Sequence, residues 1–229
     1  MTITSTQLTR ASGLSAVAAG LLFIGVQIKH PHLDATFVTT TEYTVRESLK
    51  VVMGVLSLIG ITGMYLRQVR QVGILGLLGY FVFGAGYIIL ISVQVIGLCV
   101  LPFLARSAPG YVNDVLAVAV GGKAIGDIGP IQTLDLVGGL TFLSGGFLFG
   151  IALFRAGVLA RWAAALLAGG AVATIARTVL PQVNPRLFAV PIGLALIGLG
   201  YSLWRDQRTP ADRTSSSPSA GQLDPAGVR

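Results

Sequence analysis

The residues in this sequence that could do chemistry are few, and most stand at the margins of long apolar runs. Glu47 and Lys50 are three positions apart near the start of one run, with Arg46 four positions before the lysine. On a helix that spacing puts the three on one face. Read as the first turn of a helix beginning near residue 48, Lys50 is a cation where the helix dipole disfavours one. A charge at the centre of a bilayer costs roughly 2.5–3.5 kcal/mol, and less near the edge. Two readings follow. Lys50 pairs with Glu47 and snorkels outward, or the pair belongs to a polar pocket at the outer side, lined by Glu47, Lys50, Asp135, Arg177 and Gln94. Carboxylates at helix N-termini (Glu47, Asp127, Asp135) and a cation in a last turn (Arg177) also suit the dipole without any ligand.

Glu47 and Asp135 are the candidate catalytic acids. A carboxyl kept protonated in a dry site could start a reaction on an isoprenoid or lipid, for example a cyclisation. The pattern His30-Pro31-His32-x-Asp34 offers two imidazoles and a carboxylate, which zinc accepts. The chain has only two histidines and one cysteine, Cys99, so no second ligand cluster supports that reading, and no metal or cofactor is expected. Both histidines fall in one loop, which excludes a Ser-His-Asp set inside the membrane. The glycines sit in apolar runs with no Gly-Lys-Ser/Thr phosphate loop. No ladder of buried acids suggests an ion pump.

The elements that position these residues follow from composition. The chain has 229 residues, 11% charged and 53% hydrophobic, with 30 glycines and a mean hydropathy of +0.79. Soluble domains carry about 25% charged residues. The formal net charge is +7, yet the cations stand singly at the ends of apolar runs, with no basic stripe. That excludes a nucleic-acid partner and points to lipid headgroups.

Apolar runs near 20 residues cross about 30 Å of hydrocarbon. Six emerge, at 11–28, 48–66 with Lys50 in its first turn, between Arg70 and Arg106, 136–154, 162–180 with Arg177 near its end, and 187–204. The third is too long for an upright span, and Pro102 is its natural stop. The runs do not alternate apolar and polar residues, so they are helices and not barrel strands. The first resembles a signal peptide but lacks a small-residue cleavage site, and is read as a retained helix. The expected architecture is therefore all-α: a polytopic transmembrane bundle of about six spans over 1–205, with a disordered polar tail over 206–229.

Six spans put both termini on one side. That side would hold Arg10, Arg67, Arg70, Arg155, Arg161 and Arg205, and the tight turns at 67–71 and 155–161 make it cytoplasmic. Before the tail every acid falls on the other side: Asp34, Glu42, Glu47, Asp114, Asp127 and Asp135. The loops there are 29–46 and 102–134, the second with a short surface helix near Tyr111–Val120 ended by Gly121-Gly122. Small residues at helical spacing, such as Ala16/Gly20, Gly146/Gly150, Ala165/Gly169 and Gly73/Gly76/Gly79, suit close helix packing within one chain and leave a homo-oligomer open.

Arg10-x-x-Gly13 opens the first span, Met64-Tyr65-Leu66-Arg67 closes the second, and Val158-Leu159-Ala160-Arg161-Trp162 enters the fifth. Val190-Pro191-Ile192-Gly193 lies in the last, which ends in Leu203-Trp204-Arg205. On these residues the chain resembles a broad family of small six-helix bacterial integral membrane proteins that carries a domain-of-unknown-function label. The resemblance covers about residues 10–205. It implies a helical bundle in a bacterial plasma (inner) membrane and brings no catalytic residues. The function expected is binding of a lipid-like, isoprenoid or other amphipathic ligand, or of a membrane partner, at the acidic outer face. The alternatives are an acid-initiated membrane enzyme and a small transporter.

Overall fold

A computed structural model describes residues 4–28, 31–176 and 189–206, with backbone alone at 175 and 176. Arg177, Lys29, His30 and the tail from 207 onward lie outside the described residues. Those described form seven α-helices and one 3-10 turn, with no strand among them. The helices are α1 (Ser5–Gly25), α2 (Thr41–Arg67), α3 (Val69–Ser107), α4 (Pro109–Ala119), α5 (Pro130–Ala156), α6 (Arg161–Ala176) and α7 (Ala189–Asp206), and the 3-10 turn is Phe37–Thr39.

Local chemistry sets the helix starts, and those of α1, α2 and α5 lie more than a turn earlier than the apolar runs imply. Thr4 and Gln7 form a capping box that opens α1. The Thr40 hydroxyl accepts a hydrogen bond from the Tyr43 amide at 3.2 Å, so α2 begins at Thr41 and not near 48. Pro130 stands in the first turn of α5, six residues before the predicted start of that span. Glu47 and Asp135 therefore sit inside their helices, beyond reach of the terminal dipole that would have explained them. At the far end, α7 includes Asp206, whose carboxylate accepts from Arg67 Nε at 2.7 Å.

Pro102 does not stop α3, which runs on to Ser107. A proline inside a helix removes one backbone donor and costs about 3 kcal/mol. Here Leu101 and Ala105, on either side of it, are buried in a cluster with Tyr43, Val112, Val115 and Leu116. Beyond Gly73, where a φ of +59° kinks the helix, α3 extends about 50 Å, more than hydrocarbon thickness. Its last turns thus project and carry α4, the short helix that the sequence placed at the surface. Gly121, at φ +82°, and the Gly122 amide bonded to the Ala117 carbonyl at 2.7 Å end α4 where predicted.

The six long helices close into a ring in the order α1, α2, α3, α5, α6, α7 and back to α1. Each neighbouring pair is antiparallel. Glycine sets the approach of α3 and α5. A Cβ on Gly79 would lie 2.6 Å from the Phe149 amide nitrogen, and one on Gly86 equally close to that of Phe142. Gly145 in turn meets the backbone of Phe83. Each helix thus lays a phenylalanine over the other's glycine, the close packing that association in lipid requires. The predicted pair Ala165/Gly169 is instead exposed, and α6 packs through Ala163, Ala164 and Leu167. Lipid-tolerant residues such as Leu14, Leu21, Phe81 and Leu140 cover much of the outside.

Four helices, α1, α2, α3 and α5, are long and apolar enough to cross a membrane. The chain is a membrane-embedded helical bundle. Antiparallel order gathers Arg10, Arg67, Arg70, Arg155, Arg161 and Arg205 at one end. The other end holds α4 and the acids before Asp206, which pairs with Arg67 at the arginine end.

Candidate functional site

A partly open cavity of about 420 Å³ lies at the acidic end, a size suited to a small molecule. All six long helices contribute to its wall, and α4 lies over it through Val115, Leu116, Ala119 and Val120. Phe23 and Phe142, stacked with centroids 6.4 Å apart, line its inner side. Behind them Phe83 packs on Phe142 and Tyr87 at 5.2 and 4.9 Å, and Phe83 and Tyr87 are wholly buried. These four rings form one contiguous aromatic cluster at the inner side of the cavity.

Glu47, Lys50, Gln94 and Asp135, from α2, α3 and α5, all line the cavity. The fifth residue expected there, Arg177, lies outside the described residues. Lys50 Nζ donates to Glu47 Oε1 at 2.5 Å. The side chains are 19% and 7% exposed, so the pair is enclosed in the cavity wall rather than reaching into headgroups. A pair removed from water holds only while both partners remain, because either charge alone would be stranded.

The other acids have local work. Asp34 accepts from the Thr36 and Phe37 amides at 2.9 and 2.7 Å and caps the 3-10 turn. Glu42 pairs with Arg46 at 2.9 Å. Asp127 accepts from the Gly129 amide at 2.8 Å. Asp114 accepts from the amides of Ile125 and Gly126 at 3.1 and 2.8 Å, which holds its carboxyl below the usual range. Three of the six acids at this end thus brace short connections. Of these acids Asp135 alone has no hydrogen bond or ion pair through its side chain among the described residues.

Three His, Cys, Asp or Glu side chains do not come together anywhere among the described residues in a way that could hold a metal. Asp34, one of the three suggested zinc ligands, is engaged by backbone amides, and His30 lies outside the described residues.

Sequence reasoning missed Tyr43, Gln27 and Thr174, which also line the cavity. Tyr43 is buried, and its hydroxyl lies 3.1 Å from where a Gly97 Cβ would stand. It is one turn before Glu47 on the same helix face, but only once α2 is known to start at Thr41. Gln27 carried a signal, as a lone amide in the last turn of an apolar run. The roof of α4 carried none, since nothing in the sequence says which way a surface helix folds back.

Against protein-family models, curated proteins and solved structures the chain finds no match, so its function is read from this cavity.

Proposed function

We propose that this protein is a six-span membrane protein that binds a small amphipathic, lipid-like molecule in the cavity at its acidic end. The observation that carries the reading is one cavity with mostly apolar walls that gathers Glu47, Lys50, Gln94 and Asp135 from three helices. Apolar walls hold a tail, and a few placed polar groups fix a head. The arginine end, with Arg67 and Arg70 at one tight turn and Arg155 and Arg161 at the other, favours a cytoplasmic placement of both termini in a bacterial inner membrane. In that orientation the cavity faces outward, and α6 and α7 supply the fifth and sixth spans. This is the architecture that the resemblance to small six-helix bacterial proteins implies.

The apolar rings of Phe23, Phe142 and Phe83 at the cavity's inner side favour a binding site over a transporter, which needs polar groups continuing from the cavity to the inner face. An acid-initiated enzyme needs a closed, dry site with a free acid. This cavity is partly open, and its most buried carboxylate is engaged by Lys50.

The test is native mass spectrometry of the purified protein, wild type beside Gln94→Ala, which removes a polar lining group without stranding a charge. The reading predicts a defined small-molecule adduct on the wild type that is lost, or weakened at least about tenfold, in the variant. A wild-type protein without a specific adduct would count against it.

A further inference from the structure

Among the described residues the charges on the cavity wall do not balance. Among the described lining residues Glu47 and Asp135 are acidic and Lys50 is the single cation. Lys50 is engaged by Glu47 at 2.5 Å, leaving one carboxylate over, that of Asp135. Asp135 is half-buried on α5, and it has no partner through its side chain among the described residues. A half-buried carboxylate in a partly open cavity is hydrated while the cavity is empty, and a ligand that covers it must replace that water with an opposite charge or several donors. Gln94, on the facing helix α3, lines the same cavity and can donate from its amide nitrogen or accept at its oxygen.

Consider each head group in turn. An anionic head would find the one cation among the described lining residues already occupied and would meet two carboxylates. Its entry would require Lys50 to leave Glu47, stranding a carboxylate that is 7% exposed. A neutral hydroxyl head could bond to Gln94 but would leave the charge of Asp135 uncompensated. An ammonium head supplies both the charge and the donors that Asp135 lacks, and its remaining N–H groups suit the Gln94 oxygen. The tail would lie along the apolar walls, with Phe142 and Phe23 at its inner limit.

Resting on the reading of this cavity as an amphiphile site, we infer that its ligand carries a cationic, hydrogen-bond-donating head group, and that Asp135 receives that head. The ligand class is an alkylamine-like amphiphile. The Glu47–Lys50 pair acts in selectivity: it closes the one cation to anions, so fatty acids and other anionic amphiphiles are refused.

The experiment compares three probes of equal tail, decylamine, decanoate and decanol, on the full-length protein in zwitterionic lipid nanodiscs, read by native mass spectrometry. Wild type is set beside Asp135→Asn, and the comparison between the two proteins removes differences in how the probes partition into lipid. The expected result is decylamine bound at least about tenfold more tightly by wild type than by the variant, as for loss of a charge-assisted hydrogen bond. Decanol should bind both proteins equally, and decanoate should bind neither. Decanoate held by wild type as well as decylamine would overturn the inference and leave the amphiphile reading standing. A preference for decylamine that survived in Asp135→Asn would overturn the role of Asp135. Failure of all three probes on wild type would overturn the inference and the reading together. The wild-type comparison by itself decides the charge preference, should the variant fold poorly.

Discussion

At the residue scale, the six acids at the cavity end divide by what their oxygens touch. Asp34, Asp114 and Asp127 accept from backbone amides, Glu42 and Glu47 pair with cations, and Asp135 faces the cavity. Asp114 shows how such a group is tested. Its amide bonds to Ile125 and Gly126 lower its pKa in the folded protein from 3.8. The contribution is complete above 3.8, the ordinary value, and is lost as pH falls through the lower folded one. Asp114→Asn is therefore expected to release the segment after α4 at neutral pH. Trypsin should cut the variant after the exposed Lys123 several-fold faster than wild type. Wild type should keep amide-exchange protection at Ile125 and Gly126 down to a pH below 3.8. Equal cleavage of the two proteins would show that the carboxylate does not hold this segment. The sequence displayed Glu47 and Lys50 as a pair at i, i+3, and the pair is there. It could not display that Asp135 has no side-chain partner among the described residues, because that depends on how far neighbouring helices bring their side chains.

At the scale of elements, the apolar runs located every long helix but not its ends. A run without charges marks the length that lipid must solvate, whereas a helix begins where its first amides find acceptors. Thr40 and Pro130 provide those starts outside the runs, and α2 and α5 each gain more than a turn. Packing faces were legible in part. Gly146/Gly150 was a sound choice of helix, since a Gly150 Cβ would lie 2.7 Å from the Ala168 amide nitrogen. The tightest point on the opposite face is the neighbouring Gly145, against the backbone of Phe83, while a Gly146 Cβ would meet only the Phe83 ring edge at 3.2 Å. A ring edge can turn aside and a helix backbone cannot. Gly145→Leu is thus expected to destabilise by about 3 kcal/mol or more and Gly146→Leu by about 1 kcal/mol, over the range for overpacked cores. Thermal melting of the two purified variants checks this. A Gly146→Leu protein melting at or below Gly145→Leu would mean that the contact of α3 and α5 is set elsewhere.

At the scale of the whole molecule, the bundle has two unlike ends. The arginine end is closed by direct contacts. Arg67 reaches Asp206 across from α2 to α7, and Arg10 lies 5.7 Å from the centre of the Trp204 ring. The acidic end is held apart by the over-long α3, the early start of α2 and the roof of α4, and the cavity fills the space between. The sequence showed the asymmetry of charge but not the space, since a cavity is made by what six helices fail to fill. One position probes that space alone. Gly139 lines the cavity on α5, and a Cβ there would meet nothing within 4 Å. Gly139→Leu should therefore fill the cavity without disturbing the packing, and leucine is the better helix former. The most direct test of a ligand-binding cavity is native mass spectrometry of Gly139→Leu beside wild type, each with its melting temperature. Loss of the wild-type adduct with melting unchanged or raised is the predicted result. An adduct retained undiminished by a fully folded Gly139→Leu would contradict it, and would place any bound molecule elsewhere on the bundle.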